Sequence, residues 1–198
     1  MSTVHIIDDD LAVRHSLILL MRSVGLEALA FESAAAFLSA YTNDMAGCVV
    51  ADVRMPGLSG LDLQRTLNDR DCQLPMVFLT GYGDVAMAVR AMRAGAVDFI
   101  EKPFRDQELI DRINQALAEN ERRRASQSEA SRIRTLLAKL TPREREVMER
   151  IVRGQANKVI ASELGLSERT VEIHRARVMA KSGAHSLAEL VSDVAKIR

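Results

Sequence analysis

No run of roughly 18 consecutive apolar residues occurs in this 198-residue sequence, which excludes a membrane-spanning helix. The amino terminus passes straight into a strand pattern, so no secretory signal is expected. Cysteine is scarce. Cys48 and Cys72 have no metal-ligand spacing, and Cys48 opens an apolar strand, where it reads as a small buried hydrophobe. A reducing, cytoplasmic setting fits this usage. There is no internal repeat. Residues 140–198 hold no nucleophile–base pair and no metal-ligand cluster, which argues against an enzymatic output there; His174 and His185 stand alone, and His174 reads as a packing or phosphate contact.

Charge is present in balance but is unevenly placed. Residues 1–118 carry 10 Lys+Arg against 16 Asp+Glu, a net of −6, and residues 119–198 carry 17 against 11, a net of +6. Such a split points to two domains with different partners, the basic one a nucleic-acid candidate.

Short β-rich runs alternate with helical patterns through the first half. Strands are expected at Val4–Ile7, Ala28–Phe31, Cys48–Ala51, Met76–Leu79 and Val97–Ile100. Helices are expected at Ala12–Val24, Ala34–Ala40, Leu61–Leu67 and Val85–Ala94, with a fifth starting near Asp106. Gly25, Gly60 and Gly95 punctuate helix ends or turns. Nearly continuous apolar strands separated by helices indicate an α/β fold, a five-stranded doubly wound parallel sheet covered on both faces. The stretch AENERRRASQSEASRIRTLLAKL lacks Pro and Gly, and its polar middle suits either a solvated helix or a flexible linker.

Strand ends on one side of a parallel sheet converge on one crevice. Asp8-Asp9-Asp10, Asp52, Thr80 and Lys102 each follow an apolar run, so three acids, a hydroxyl and an ammonium are expected to meet there. Asp10 also suits a helix N-cap. Asp8, Asp9 and Asp52 provide the hard oxygens that Mg²⁺ or Mn²⁺ prefers. Asp52 is the candidate nucleophile, since a carboxylate can accept a phosphoryl group as a mixed anhydride. Lys102 would pair with phosphoryl oxygens, and Thr80 would donate its hydroxyl to one. Pro103 could hold the Lys102–Pro103 bond cis and aim the lysine inward. Taken singly, each residue has a plainer reading as a cap, turn or surface group; the ordered set is far more specific.

HIIDDD, ADVRMPGLSG, FLTGYGD and AGAVDFIEKPF together resemble the receiver domain of bacterial two-component response regulators, over residues 3 to about 120. The resemblance implies a flavodoxin-like fold with phosphorylation at Asp52, metal-site acids Asp8 and Asp9, and the backbone carbonyl of Arg54 as a further metal ligand. It implies Thr80 and Phe99 as a switch pair and Lys102 as the conserved-type lysine. Phosphorylation would draw Thr80 inward and Phe99 after it, altering a dimerisation face between Asp84 and Ile100. Gly81 leaves water some access, and Arg54 and Tyr82 flank the site and would slow hydrolysis.

A second domain starts near Leu140. Thr141-Pro142-Arg143-Glu144 is a helix start with a Thr cap, Pro at the first position and Glu at the third. Asn157–Leu164 and Glu168–Lys181 follow as a helix-turn-helix, and Ser186-Leu187-Ala188-Glu189 opens a fourth helix. Ile160, Leu164, Leu166, Val171 and Val178 would pack the pair together. Candidate DNA contacts are Lys158, Ser167, Arg169, Thr170, Glu172, Ile173, Arg175, Ala176, Arg177 and Lys181. LTPREREVMERIVRGQANKVIASELGLSERTVEIHRARVMAKSGAHSLAELV resembles the LuxR/NarL-type effector domain, and the pairing with a receiver is similar to the FixJ-like branch. Two departures stand out. Glu172 occupies a position where many relatives carry a DNA-touching Lys, and Ser182-Gly183 replaces a Leu-containing turn, which predicts a less firmly anchored helix end.

The expected protein is a cytoplasmic response regulator with a receiver at 1–120, a helical linker at 121–139 and a four-helix, all-α helix-turn-helix domain at 140–198. Its implied partners are a sensor histidine kinase, double-stranded promoter DNA, RNA polymerase and, once phosphorylated, a second copy of itself. The alternative is a phosphorylation-independent transcription factor that uses its receiver only for dimerisation.

Overall fold

The computed structural model describes residues 2–81 and 85–197, and the chain forms two compact units, Met1–Arg124 and Ala125–Arg198. The first contains β1 (Thr3–Ile7), α1 (Leu11–Ser23), β2 (Glu27–Phe31), α2 (Ala34–Ala40), β3 (Gly47–Asp52), α3 (Gly60–Asp69), β4 (Met76–Thr80), α4 (Val85–Arg93) and β5 (Asp98–Glu101). All strand pairs are parallel, in the order β2-β1-β3-β4-β5. Order reverses at β1, so the crevice lies above the carboxyl ends of β1 and β3.

Successive strand residues point to opposite faces, which is why the strands read as unbroken apolar runs. Val4, Ile6, Val50, Val77 and Leu79 pack with Leu17 and Met21 of α1 and with Leu109 and Ile113 of the following helix. Ile7, Val49, Ala51, Met76 and Phe78 pack on the other side with Phe37, Leu63, Leu67 and Ala91. Cys48 is fully buried, and desolvation pushes its thiol up to about 12. β5 lies one residue later than the sequence pattern suggests, and Val97, just before it, donates to the Met76 carbonyl.

Helix α5 runs unbroken from Asp106 to Ala138, so the polar stretch left open between helix and flexible linker is helical through residue 138. Its early part is tied to the first unit. Asn120 is fully buried; it accepts from the Gly47 amide at 3.0 Å and donates to the Gln73 carbonyl at 2.9 Å. Arg124 donates to the Asp44 and Met45 carbonyls at 2.9 and 2.8 Å.

The second unit contains α6 (Pro142–Val152), α7 (Asn157–Leu164), α8 (Glu168–Ser182) and α9 (Leu187–Lys196). Its core joins Val147, Ile151, Ile160, Val171, Val178, Leu190 and Val194, with Leu164 and Leu166 packed at its margin. Ile133 and Leu137 from the end of α5 belong to the same core, so the unit is larger than its four expected helices. Thr141 and Glu144 form the reciprocal capping box expected of α6. At α9 the return arm shifts by one residue: Glu189 accepts from the His185 amide rather than from that of Ser186.

Candidate functional site

Asp8 stands just past β1, Asp52 ends β3 and Thr80 ends β4; all three are buried, although two are acids. Lys102 follows β5, and its amide donates to the Thr80 carbonyl at 2.7 Å. From there its Nζ reaches Asp8 Oδ2 at 2.8 Å and Asp52 Oδ1 at 3.1 Å. The Lys102–Pro103 peptide is cis. Each carboxylate also accepts a backbone amide, Asp8 Oδ1 from Asp10 at 2.9 Å and Asp52 Oδ2 from Arg54 at 2.9 Å.

One ammonium therefore serves two carboxylates. Burial raises the Asp52 carboxyl above the ordinary aspartate range, against the pull of Lys102 and the Arg54 amide, and the charge of Asp8 pushes the same way. Burial works against the Lys102 ammonium, but hydrogen bonds and charge from Asp8 and Asp52 outweigh it, and its pKa is raised.

Gly60 fixes the position of Asp52 from behind. A Cβ on Gly60 would lie 2.3 Å from the Asp52 carbonyl oxygen and 3.1 Å from the Phe78 ring. The glycine first reads as punctuation; its actual role is to let the first turn of α3, capped by Ser59, close against β3.

Asp10 caps α1, accepting from Ala12 and Val13. Asp9 is exposed and lines an open groove of about 510 Å³ with Arg54, Met55, Pro56 and Met87. Among the described residues no three acidic, His or Cys side chains gather into a metal cage; Asp8 and Asp52 share the Lys102 ammonium, and Asp9 lines the adjoining groove. Asp9 follows β1 in a bend and faces the groove beside Arg54. The donor set still fits a hard divalent cation, which binds through one or two carboxylates and keeps several waters.

Phe99 is half-buried and packs obliquely on Phe78, ring centroids 6.3 Å apart. Helix α4 exposes Val85, Val89 and Met92. Space beside Gly81 is open. Tyr82 and Asp84, also singled out from the sequence, lie outside the described residues.

In the second unit α8 buries Val171, Val178 and Ser182 and turns Arg169, Glu172, Ile173, Ala176 and Arg177 to solvent, with Arg175 half-buried at the edge. Ser167 caps α8, accepting from the Thr170 amide, and the two hydroxyls lie 2.8 Å apart. Lys158 is exposed on α7. Among the described residues Lys158, Arg169, Arg175 and Arg177 have no ion-pair partner.

Residues 4–114 match the response regulator receiver domain and residues 138–194 the luxR family of bacterial regulatory proteins. Nodulation protein W of Bradyrhizobium diazoefficiens is 48% identical over 188 residues, covering 95% of this chain and 83% of that protein. The transcriptional regulatory protein FixJ of Rhizobium meliloti is 47% identical over 189 residues, covering 96% and 93%. The chain belongs to the FixJ-like response regulators. It is a transcriptional response regulator, with a receiver and a LuxR-type DNA-binding domain. The solved structure of the response regulator StyR superposes with a TM-score of 0.89 at 44% identity, covering 98% of both chains. Receiver domains generally bind Mg²⁺. No helix among the described residues is long and apolar enough to cross a membrane.

In this response regulator two expectations about α8 need correcting. Lys181, read as a phosphate contact, has its Nζ 2.6 Å from Glu144 Oε2, and Glu144 is almost fully buried. The hydrogen bond from Lys181 and then the Thr141 amide hold the Glu144 carboxyl down to about 2. The Ser182-Gly183 end is also well anchored. Ser182 Oγ donates to the Met179 carbonyl and accepts from the Ala184 amide, while Gly183 takes the left-handed cap conformation at φ 75°.

Proposed function

We propose that Asp52 is the phosphoacceptor of this response regulator and that its phosphorylation by a sensor histidine kinase assembles a DNA-binding dimer. The observation that carries this reading is the Lys102 ammonium shared between Asp8 and Asp52 at 2.8 and 3.1 Å. Asp52 attacks the phosphorus of the kinase phosphohistidine, the P–N bond breaks, and the imidazole leaves. Asp8, Asp9, Asp52 and the Arg54 backbone carbonyl would hold Mg²⁺ or Mn²⁺, which supplies charge neutralisation between acceptor and donor oxygens. Lys102 turns from Asp52 toward the new phosphoryl oxygens, and the Thr80 hydroxyl donates to one of them. Arg54 flanks the acyl phosphate and slows its hydrolysis, while the receiver itself promotes phosphotransfer and dephosphorylation.

Movement of Thr80 frees space for the Phe99 ring, which lies on the same face of the sheet edge as Phe78. The α4–β5 surface then changes, and the exposed Val85, Val89 and Met92 supply the apolar contact for a second receiver. Helix α5 leads from the receiver into the DNA-binding domain, whose core takes in Ile133 and Leu137 from the end of that helix. In the dimer two α8 helices address two half-sites of a promoter. Lys158, Ser167, Arg169, Thr170, Glu172, Ile173, Arg175, Ala176 and Arg177 make the contacts, and RNA polymerase is the downstream partner in the cytoplasm.

The test is solution mass by light scattering, with and without Mg²⁺ and beryllofluoride, which stands in for the acyl phosphate on a carboxylate. The wild type is expected to pass from monomer to dimer and Asp52→Asn to stay monomeric. A wild type whose mass does not change would remove the dimer step, and an Asp52→Asn protein that still dimerises on beryllofluoride would remove Asp52 from the switch.

A further inference from the structure

On its solvent face α8 carries one carboxylate among arginines. Glu172 is exposed, with Arg169 and Arg175 three residues to either side, a spacing at which helical ion pairs form. Neither pairs with it, and among the described residues Glu172 has no hydrogen-bond or ion-pair partner. Beside it Ile173 is 47% exposed, the one large apolar side chain on a face otherwise built of Arg169, Ala176, Arg177 and Ala180.

Accepting that this face meets the major groove, as proposed above, we infer that Glu172 selects a cytosine and Ile173 a neighbouring thymine. A carboxylate brought against DNA is repelled by the phosphates, and desolvating it unpaired is costly. It is tolerated where a base edge offers a donor. Cytosine N4 is a donor with no acceptor beside it on the same base in the major groove. Adenine pairs its N6 donor with the N7 acceptor, which repels a carboxylate, and guanine and thymine offer acceptors there. Glu172 thus reads by attraction to one base and rejection of three. The Ile173 branch suits the C5 methyl of thymine, which cytosine lacks. Ala176, one turn on from both, keeps the helix backbone free to approach the bases. Grip on the phosphates is left to Arg169, Arg175, Arg177 and Lys158.

The experiment selects duplexes from a randomised pool with the full-length, beryllofluoride-activated wild type. Affinities are then measured on a panel in which each base pair of the selected half-site is changed in turn. Changing one C·G pair is expected to weaken wild-type binding roughly 10- to 100-fold. Glu172→Ala should lose discrimination at that pair and keep it elsewhere. Glu172→Gln, able to bond adenine N6 and N7 together, should shift the preference there to A·T. Ile173→Ala should lose discrimination at an adjacent T·A pair only. A Glu172→Ala protein that binds with its base preferences intact overturns this inference and leaves the DNA-binding reading standing. A wild type that selects no sequence at all, in any salt, overturns both. Both side chains are exposed, so circular dichroism of the variants should match the wild type.

Discussion

Each unit of the molecule seats one lysine on a buried carboxylate, and the two arrangements differ in their arithmetic. In the receiver, Lys102 faces both Asp8 and Asp52, and the Asp52 carboxyl is pushed upward. In the DNA-binding unit, Lys181 faces Glu144, which also accepts from the Thr141 amide and is held down to about 2. Two acids on one ammonium leave an excess of negative charge, which the proposed cation would offset. One acid with an ammonium and an amide is settled, and such a pair acts as a staple. The same side-chain chemistry yields a switch or a strut according to how many charges share it.

Breaking the receiver cluster should have the largest effect. Lys102→Met removes the donor proposed to meet the phosphoryl oxygens. Phosphorylation of the purified chain by a small phosphodonor, followed on a phosphate-affinity gel, is expected to slow by on the order of 10²-fold or more. Lys181→Met should leave that rate unchanged. Equal slowing by both substitutions would erase the distinction drawn between the clusters.

Breaking the strut should act on stability and DNA affinity instead. Lys181→Met strands a buried carboxylate, so thermal unfolding of the DNA-binding unit should fall by several degrees. The double variant Glu144→Leu with Lys181→Met should recover part of that loss. The correction to Lys181 gives a second measurement. A phosphate contact contributes about 0.9 to the slope of log affinity against log salt. Arg177→Ala is expected to lower that slope by about one and Lys181→Met to leave it as it is. A drop with Lys181→Met would return that residue to the DNA surface.

Asn120 offers a smaller effect within the receiver. Asn120→Ala leaves the buried Gly47 amide and Gln73 carbonyl without their partner, and urea unfolding should show a loss of about 1–3 kcal/mol. The proposed phosphorylation at Asp52 should persist, since these bonds sit at the opposite ends of the strands from the site. No loss would mean that water replaces the amide freely.

How much of this was legible beforehand follows from how far apart the interacting residues lie. Asp8, Asp52, Thr80 and Lys102 were readable because each closes an apolar strand run, and parallel topology does the gathering. Asp10 was legible as a cap, since it directly precedes α1. Glu144 was seen as a cap residue, from Thr141 three positions before it. Its burial and its bond to Lys181, 37 residues away, depend on the packing of α6 against α8 and left no local mark. Asn120 sits in a stretch whose polarity suggests solvent on every side, and nothing nearby in sequence announces that it closes the gap between two loops. Ile133 and Leu137 carried a signal, two apolar residues one turn apart within a charged segment, which the polar middle of the helix masked.

The pH dependence of folding separates the two clusters by sign. The Glu144 carboxyl, held at about 2 in the fold, ionises near 4.5 when free. The unfolded chain therefore takes up its proton first as pH falls. Stability from this group is fully present above about 4.5 and is lost progressively down to about 2. Asp52 is shifted the other way, so in the metal-free protein its ionisation opposes folding as pH rises past the ordinary aspartate range. The quantity to measure is the difference in unfolding midpoint between wild type and Glu144→Gln, across pH 2 to 6 in full-length protein. Taking the difference cancels titrations common to both chains, including that of buried His5, whose pKa burial lowers. The gap should be constant from pH 6 to about 5 and close steadily below it. A gap that stays constant to pH 2 would mean that the Glu144 charge contributes nothing, and that its packing alone supports the start of α6.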